Sequence, residues 1–504
     1  MLHSAALMMD DPSHPPGPGR PHRPWLAAIL SFAFPGLGQA YSGRTRDALV
    51  FAVPVILLLA AAAALVTGVA GDRNSLLSAG FLAAVMALNV ALLVWRLAAI
   101  AHAGLTPARL VRGRRRRVAG ATVLGLVVLS VAMHAWVGVV VAQLEDTLSQ
   151  VFAGEPEPEP DADQPPAAGG DEPGPEPTPQ PVRWSGTDRL NVLLIGTDAA
   201  PGREAVLTDV VLVLSIDPVD RSAVMVSVPR DTGWMPLPDE RLFVRGLYPG
   251  KVNEIAAQAE RDPATWCPDL RSASACGIRT LRESVGLYLG LEIHHHAAVD
   301  MVGFAELIDA VGGLRLCLPG RLVDPQFDGS LDNRASTEAL ILPAGCHHYS
   351  GIDALAYARS RKGWIEMPDG TIEHQTDFHR NERQQHVLLA LRRELAEADT
   401  FFELPALIGA IGRTVTTDVP RDRAGDLASL LPVITGPDID RVVLGYPDFV
   451  DLPDEPDVNY LLIPKRDAIR AEMARLFGRD ELVGWYLGTR MSSPTTELPD
   501  DPEP

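Results

Sequence analysis

The sequence predicts an α/β domain of three layers (α/β/α) on the extracytoplasmic side of a membrane, preceded by N-terminal transmembrane helices. Three observations predict it. Long apolar runs occupy the first 150 residues, and a dense basic loop separates two of them. After a Pro-rich spacer come short β-rich runs that alternate with helical patterns, and a sheet flanked by helices makes layers.

The apolar runs are Ala48–Ala70, Leu76–Ala101 and Val118–Leu144. Each exceeds the roughly 20 residues needed to cross a bilayer. A shorter stretch, Pro24–Tyr41, contains the helix-breaking cluster Phe34-Pro35-Gly36-Leu37-Gly38-Gln39. It reads as a kinked first span, with an interfacial hairpin as the alternative, so residues 25–150 form a membrane region of three to four helices. The first twenty residues lack the apolar core of a cleavable signal, and residues 1–24 are expected to be cytoplasmic or disordered.

Charge sets the orientation. The chain carries −20 overall. Residues 1–150 hold 12 Lys+Arg against 6 Asp+Glu, a net of +6 that leaves −26 for the rest. Half of those basic residues lie between Arg109 and Arg117. With apolar runs on both sides, this cluster reads as a cytoplasmic loop and not as a nucleic-acid site. Arg44 and Arg46 then also fall inside, and everything after Gln150 lies outside. The expectation is a multi-pass protein of the cell membrane with its large domain extracytoplasmic.

Residues 151–182 are expected to be an acidic, Pro-rich linker. From Glu155 to Pro181 there is no basic residue, and such a composition cannot bury enough apolar surface to order itself. The acidic tail 489–504 reads the same way. Between them, 183–488 is the expected folded domain. Leu190–Ile195, Val210–Ile216 and Ala223–Val228 are buried-strand runs, followed by Ala297–Val299 and Leu314–Leu318. Helices are expected at Val252–Arg261, Ile278–Leu289, Phe304–Val311, Ile352–Arg359 and Phe378–Leu395, the last one strongly amphipathic. All four cysteines lie in this domain, in a compartment where disulfides persist. Of three possible pairings, Cys267–Cys276 and Cys317–Cys346 are expected, with a zinc site as the rival.

The candidate site residues follow strand ends and one helix face. Asp198 leaves the first run in Ile195-Gly196-Thr197-Asp198, and Asp209 opens the second. Two carboxylates at adjacent strand ends suit a hard divalent cation, Mg²⁺ or Mn²⁺ in its place. Arg230 follows the third run in Val228-Pro229-Arg230-Asp231. Arg359 and Arg361 sit in Tyr357-Ala358-Arg359-Ser360-Arg361. Two residues apart, they converge on one anion only if the helix ends there, a stop expected from Gly363. Asp377, Arg380 and Gln384 stand at i, i+3 and i+7, one face of a helix. Arginine suits bidentate recognition of phosphate, so the set points to a multiply charged anion, with Asp377 orienting Arg380 or acting as a base. His294-His295-His296 is no metal site, because neighbours on a strand alternate sides. Pro249-Gly250-Lys251 lacks the first Gly and the Ser/Thr of a phosphate-binding loop.

From about Leu190 to Arg383 the chain resembles the LytR-CpsA-Psr (LCP) family of cell-wall glycopolymer transferases. The resemblance rests on Asn191–Asp198, Asp209–Ser215, Val226–Asp231, Lys251–Asn253, Asp309–Leu314, Gly351–Arg361 and Asp377–Gln385, in that order. It implies a tunnel for a polyprenyl chain, with apolar helices such as Phe304–Val311 as candidate walls. It also implies transfer of a glycopolymer from polyprenyl pyrophosphate to peptidoglycan by phosphodiester formation. Wall teichoic acid, arabinogalactan and capsule all fit as the polymer. By the same resemblance, Asp198 and Asp209 bind Mg²⁺; Arg230, Arg359, Arg361, Arg380 and Gln384 bind pyrophosphate; and Arg230, Asp377 and Arg380 are catalytic. The chain departs from the family at Leu207, where the family often has Arg, and Arg203 is the candidate substitute. The rival readings are a polyprenyl-pyrophosphate phosphatase and a non-catalytic wall-polymer or lipid-binding anchor with a regulatory role.

Overall fold

The structure, a computed structural model, describes residues 23–69, 73–108, 113–152, 188–199, 206–327, 339–397, 404–434, 439–453 and 460–478. The expectations for the extreme N-terminus, for Arg109 and Arg112, for the linker past Phe152, for Arg203 and for the acidic tail lie outside those residues. The chain divides into two compact units, Met1–Ala142 and Gln143–Pro504.

The first unit contains α1 (Pro24–Ala33), α2 (Leu37–Tyr41), α3 (Thr45–Val69), α4 (Ala79–Ala108) and most of α5 (Arg114–Val151). The last three are long and apolar enough to cross a membrane. Large apolar side chains such as Leu49, Leu57, Val94, Leu124 and Val128 are exposed on them, as suits a lipid-facing surface. The expected kinked first span is corrected. The α1 and α2 helices are 10 and 5 residues long, too short for a span, and they pack as a hairpin. The left-handed turn at Gly36 (φ 104°) breaks the helix, and a Cβ on Gly38 would meet the Ala27 carbonyl at 1.9 Å.

The boundary between the units falls inside α5 and not at residue 150. The last turns of α5 belong to the second unit, where Thr147 Oγ1 donates to the Ile408 carbonyl at 2.8 Å and Glu145 pairs with Arg421 at 2.5 Å.

The strands of the second unit are β1 (Leu190–Thr197), β2 (Thr208–Asp217), β3 (Ser222–Ser227), β4 (Gly233–Pro236), β5 (Leu247–Lys251) and β6 (His295–Asp300). They continue as β7 (Leu314–Leu318), β8 (Arg321–Asp324), β9 (Leu340–Leu342), β10 (Gly345–Tyr349), β11 (Trp364–Glu366) and β12 (Ile372–His374). The last four are β13 (Val415–Thr417), β14 (Ile439–Val443), β15 (Val450–Asp451) and β16 (Ile463–Pro464). The helices are α6 (Ile255–Arg261), α7 (Pro263–Trp266), α8 (Ala273–Leu289), α9 (Met301–Ala310) and α10 (Gly351–Arg359). After them come α11 (Asp377–Glu397), α12 (Leu404–Thr414), α13 (Ala424–Ile434) and α14 (Arg466–Phe477).

The main sheet is mixed, in the order β13-β6-β1-β2-β3-β14. Alternation along its strands assigns its two faces. Leu193 and Ile195 of β1, Val211 and Val213 of β2, and Val224 and Val226 of β3 join one core with Ile255 of α6, Leu281 and Val285 of α8, and Ile469 and Met473 of α14. The intervening residues Leu190 and Ile216 pack against Leu430 and Val433 of α13. On that same face Gln385 of α11 donates to Ser227 Oγ at 2.8 Å. Helices therefore cover both faces, and the unit has three layers.

A second core gathers α9 to α12 around β7 and β8, with Ile308, Leu314, Leu316, Leu322 and Val387 fully buried. Ile308 and Val311, within the stretch considered for a tunnel wall, pack there as core residues. The expectation of a strongly amphipathic Phe378–Leu395 is also corrected. The first turns of α11 bury Arg380, Asn381, Arg383 and Gln385, all under 5 % exposed, so the covered face is polar at this end. Disulfides join Cys267 to Cys276 and Cys317 to Cys346; the second lies directly across the β7–β10 ladder.

Candidate functional site

One edge of the main sheet collects most of the candidate residues because of strand direction. Strand β1 runs toward this edge and ends just before Asp198, β2 starts from it, and β3 returns to it just before Arg230. The β1–β2 register slips between Gly196 and Thr197, which pair with Val210 and Thr208. Asp209 is the extra residue of that bulge, and a bulge re-aims a side chain beside a site. Gly196 is needed there, since a Cβ would meet Val210 at 2.7 Å. Asp198 is 7 % exposed. Its N–H donates to the Leu207 carbonyl at 3.0 Å, and its Oδ1 accepts the Leu207 N–H at 2.7 Å. Leu207 thus holds the carboxylate with its backbone, a contact that does not depend on its side chain.

Arg230 is the hub. It donates to Asp209 Oδ1 at 2.7 Å, and its Nε lies 3.8 Å from Asp231 and 3.9 Å from Asp377. Arg380 donates to Asp377 Oδ2 at 3.0 Å, and Lys251 Nζ meets Asp231 at 2.8 Å. The backbone of Lys251–Asn253 is stitched to this turn. The Val252 N–H donates to the Thr232 carbonyl at 2.8 Å, and the Asn253 N–H donates to the Arg230 carbonyl at 3.3 Å. The structure therefore joins Asp209, Arg230, Asp377 and Arg380 in one ion network, and adds Asp231 and Lys251, whose roles were not read from the sequence.

Burial shapes the electrostatics. It opposes the charge of Arg230, but Asp209, Asp377 and Asp231 outweigh it and hold that guanidinium above its ordinary value. Burial raises the Asp377 carboxyl above the usual range, against the pull of Arg380 and Arg230. It likewise lowers Arg380. The Nε groups of Arg230 and Arg380 and the Asn253 Oδ1 are buried without a hydrogen-bond partner among the described residues. Buried donors without acceptors are costly, and a phosphate oxygen is a fitting acceptor for an arginine.

Arg359 and Arg361 form a second group. The α10 helix ends at Arg359, and Ser360 leaves in an extended conformation (φ −53°, ψ 137°). The helix ends where expected, but its C-cap is Ser360 and not Gly363. Ser360 is fully buried; its hydroxyl donates to Asp324 at 2.8 Å, and its carbonyl accepts from Arg383. Gly363 instead permits close approach to β8, since a Cβ would meet the Val323 carbonyl at 2.2 Å. Asp324, 1 % exposed, also accepts the N–H groups of Arg361 and Lys362 at 3.2 and 3.3 Å. Arg383 donates to the Tyr357 carbonyl at 2.9 Å and to Gln375. Arg359 lies over the Phe327 ring at 5.8 Å, and Arg361 is exposed. Gln384 is partly buried one turn beyond Arg380. Asp324 and Arg383 had no signal of their own, because their partners lie far away in sequence.

The three histidines sit at the opposite end of β6. The Asn191 N–H donates to His294 Nδ1 at 3.1 Å, and His296 Nδ1 lies 3.1 Å from Asp418. They are tied to protein groups.

A family model described as the LytR_cpsA_psr family matches residues 168–446, more than half of the chain. The chain belongs to the LytR_cpsA_psr family. It is 27% identical over 245 residues to TagU of Halalkalibacterium halodurans, named a polyisoprenyl-teichoic acid–peptidoglycan teichoic acid transferase; the match covers 49% of this chain and 66% of TagU. It is 28% identical over 223 residues to LcpA of Corynebacterium glutamicum, a cell wall biosynthesis protein, covering 44% of this chain and 39% of LcpA. The chain thus spans less than two thirds of the length of either relative. A crystal structure of B. subtilis TagV matches with a TM-score of 0.41 and 22% identity, over 57% of this chain and 97% of TagV. All the candidate site residues of this LytR_cpsA_psr chain lie within the matched stretch.

Proposed function

We propose that this chain is a membrane-anchored phosphotransferase that attaches a glycopolymer, carried on polyprenyl pyrophosphate, to peptidoglycan through a phosphodiester bond. One observation carries the reading. Arg230, partly buried, and Arg380, buried, stand among carboxylates at one sheet edge and keep buried Nε–H donors without acceptors among the described residues. Family membership and the name of TagU support the same transfer, with teichoic acid as one polymer of that class.

Charge supports a divalent cation. Asp198, Asp209, Asp231 and Asp377 outnumber Arg230, Arg380 and Lys251 by one, so the edge as it stands would repel a pyrophosphate. Asp198 and Asp209 offer hard oxygen ligands on adjacent strand ends, a donor set that fits Mg²⁺ or Mn²⁺ completed by phosphate oxygens and water. When bound, such an ion supplies neutralisation of phosphate charge.

The protein's own residues then do the positioning. Arg230 and Arg380 grip the pyrophosphate, Arg359 and Arg361 extend the cationic surface, and Gln384 donates from the next turn of α11. An acceptor hydroxyl of peptidoglycan attacks the phosphorus that bears the glycopolymer. The new O–P bond forms, the P–O bond to polyprenyl phosphate breaks, and that monophosphate leaves. Asp377, made more basic by burial, takes the hydroxyl proton. The arginines stabilise charge as it gathers on the leaving phosphate.

Three helices long and apolar enough to cross a membrane support a multi-pass protein, and the positive-inside rule applied to the basic sequence Arg109–Arg117 supports an extracytoplasmic second unit, beside its lipid-linked donor. The test is to incubate the full chain, in lipid vesicles with Mg²⁺ and peptidoglycan, with donor labelled in its polymer and its pyrophosphate. Polymer label fixed to peptidoglycan supports transfer. Free phosphate without fixation means hydrolysis, and intact retained lipid means a binding anchor; either result contradicts the proposal.

A further inference from the structure

The segment after the family-matched residues returns to the site. Residues 168–446 carry the family match, yet Leu461 and Leu462, just before β16, lie against the turn after Arg230. The Leu462 N–H donates to the Asp231 carbonyl at 2.9 Å, the Gly233 N–H donates to the Leu462 carbonyl at 3.0 Å, and Thr232 and Leu462 form a parallel bridge. Leu462 is 1 % exposed, so this contact is part of the core. Gly233 lets the segment approach, because a Cβ there would press on Leu461 at 3.2 Å.

Two residues before Leu462 stands Tyr460, partly buried. Its phenol is within electrostatic reach of the Asp231 and Asp377 carboxylates, the same two that flank Arg230 Nε at 3.8 and 3.9 Å. No hydrogen bond from the phenol to another described residue is formed. Burial and those two carboxylates raise its pKa above the ordinary phenol value, so the group stays an uncharged donor at physiological pH. In a site where carboxylates already outnumber cations, an O–H donor binds an anion without adding a charge to be desolvated.

We propose that Tyr460 is a further ligand-binding residue, its phenol O–H donating to a phosphate oxygen of the pyrophosphate held by Arg230 and Arg380. The inference rests on the pyrophosphate reading of that site and extends it to a part of the chain outside the family match. A hydrogen bond to a charged phosphate is worth about tenfold in affinity.

The experiment measures binding of a sugar-free polyprenyl pyrophosphate to the full chain in detergent, by calorimetry, together with the thermal midpoint. Tyr460→Phe keeps the ring and removes only the hydroxyl. The expected result is a dissociation constant raised about tenfold, with the thermal midpoint unchanged and transfer kcat within twofold of wild type while KM rises. If Arg230→Ala abolishes binding but Tyr460→Phe binds like wild type, the Tyr460 assignment is overturned and the pyrophosphate site stands. If the wild-type chain binds no polyprenyl pyrophosphate, the site reading itself fails and the Tyr460 proposal with it. A Tyr460→Phe chain that melts earlier and loses affinity only in proportion assigns the residue to folding and also overturns the proposal.

Discussion

Arg230 donates to Asp209 at 2.7 Å, so the carboxylate proposed for the metal and the arginine proposed for the phosphate are directly paired. Arg230→Ala would leave Asp209, Asp231 and Asp377 facing one another without their shared cation. We expect transfer to fall by about 10²–10³-fold, the range seen when a charge-stabilising donor is lost. Arg230→Lys should recover only a small part, because an ammonium lacks the planar fork. Initial rates with labelled donor check both.

Asp377 should impose an acid limb on the rate. Burial raises its carboxyl above the ordinary value of about 4, and a base must be deprotonated to accept a proton. The rate of kcat therefore falls as pH drops through that raised value, at a pH where an ordinary aspartate is still ionised. The stability linkage has the opposite sign. The folded state holds this proton more tightly than the unfolded chain, so the contribution is present below the unfolded pKa and is lost as pH rises through the folded one. Asp377→Asn should cost about 10²–10⁴-fold in rate and abolish the acid limb. A pH–rate profile of both proteins decides; an unchanged limb in the variant would assign it to another group.

Asp324 should matter to the site without touching substrate. It accepts from the Ser360 hydroxyl and from the N–H groups of Arg361 and Lys362, and so sets the turn that carries Arg361. Asp324→Ala leaves the buried Ser360 hydroxyl and the partly buried N–H groups of Gln326, Arg361 and Lys362 without their acceptor, a loss of about 3 kcal/mol or more. Asp324→Asn keeps the volume and one acceptor oxygen. It should fold while raising KM for the lipid donor several-fold with kcat little changed, as steady-state kinetics would reveal.

Asp418 should be structural. It accepts from Arg282 at 2.5 Å and from the His296 N–H at 2.8 Å. Burial opposes its charge, but His295, His296 and Arg282 outweigh burial and hold the carboxyl well below the usual range. Its stabilisation is thus present above the unfolded value of about 4 and is lost only as pH falls through the depressed one. Asp418→Ala should destabilise the second unit by about 3 kcal/mol. Added Zn²⁺ should leave the melting of the wild type unchanged, since these histidines are committed to protein partners.

Strands β1, β2, β3 and β6 of the main sheet were legible because their apolar runs end at turn residues, whereas its outer strands β13 and β14 were not read from the sequence; Leu314–Leu318, in a separate sheet, coincides with β7. Asp198, Arg230, Asp377 and Arg380 were legible because each follows a strand end or a helix repeat. The bulge that aims Asp209 was not, since one extra residue leaves no mark in an apolar run. Nor was the turn at Ser360, which depends on Asp324, 36 residues away, and on Arg383. The end of α10 was legible but the role of Gly363 was not, because a glycine near a helix end has two uses, a left-handed cap or a close approach, and only packing distinguishes them. The α11 helix was read as strongly amphipathic, although its first turns bury a polar face.

The central claim is that the phosphate bearing the polymer goes with the polymer. The most direct measurement is of the linkage formed and the lipid released when the full chain acts on labelled donor. Muramidase digestion of the product, followed by mass spectrometry, should find a phosphodiester joining polymer to peptidoglycan, with one polyprenyl monophosphate released per linkage. A linkage without phosphorus, accompanied by intact polyprenyl pyrophosphate, would contradict the account.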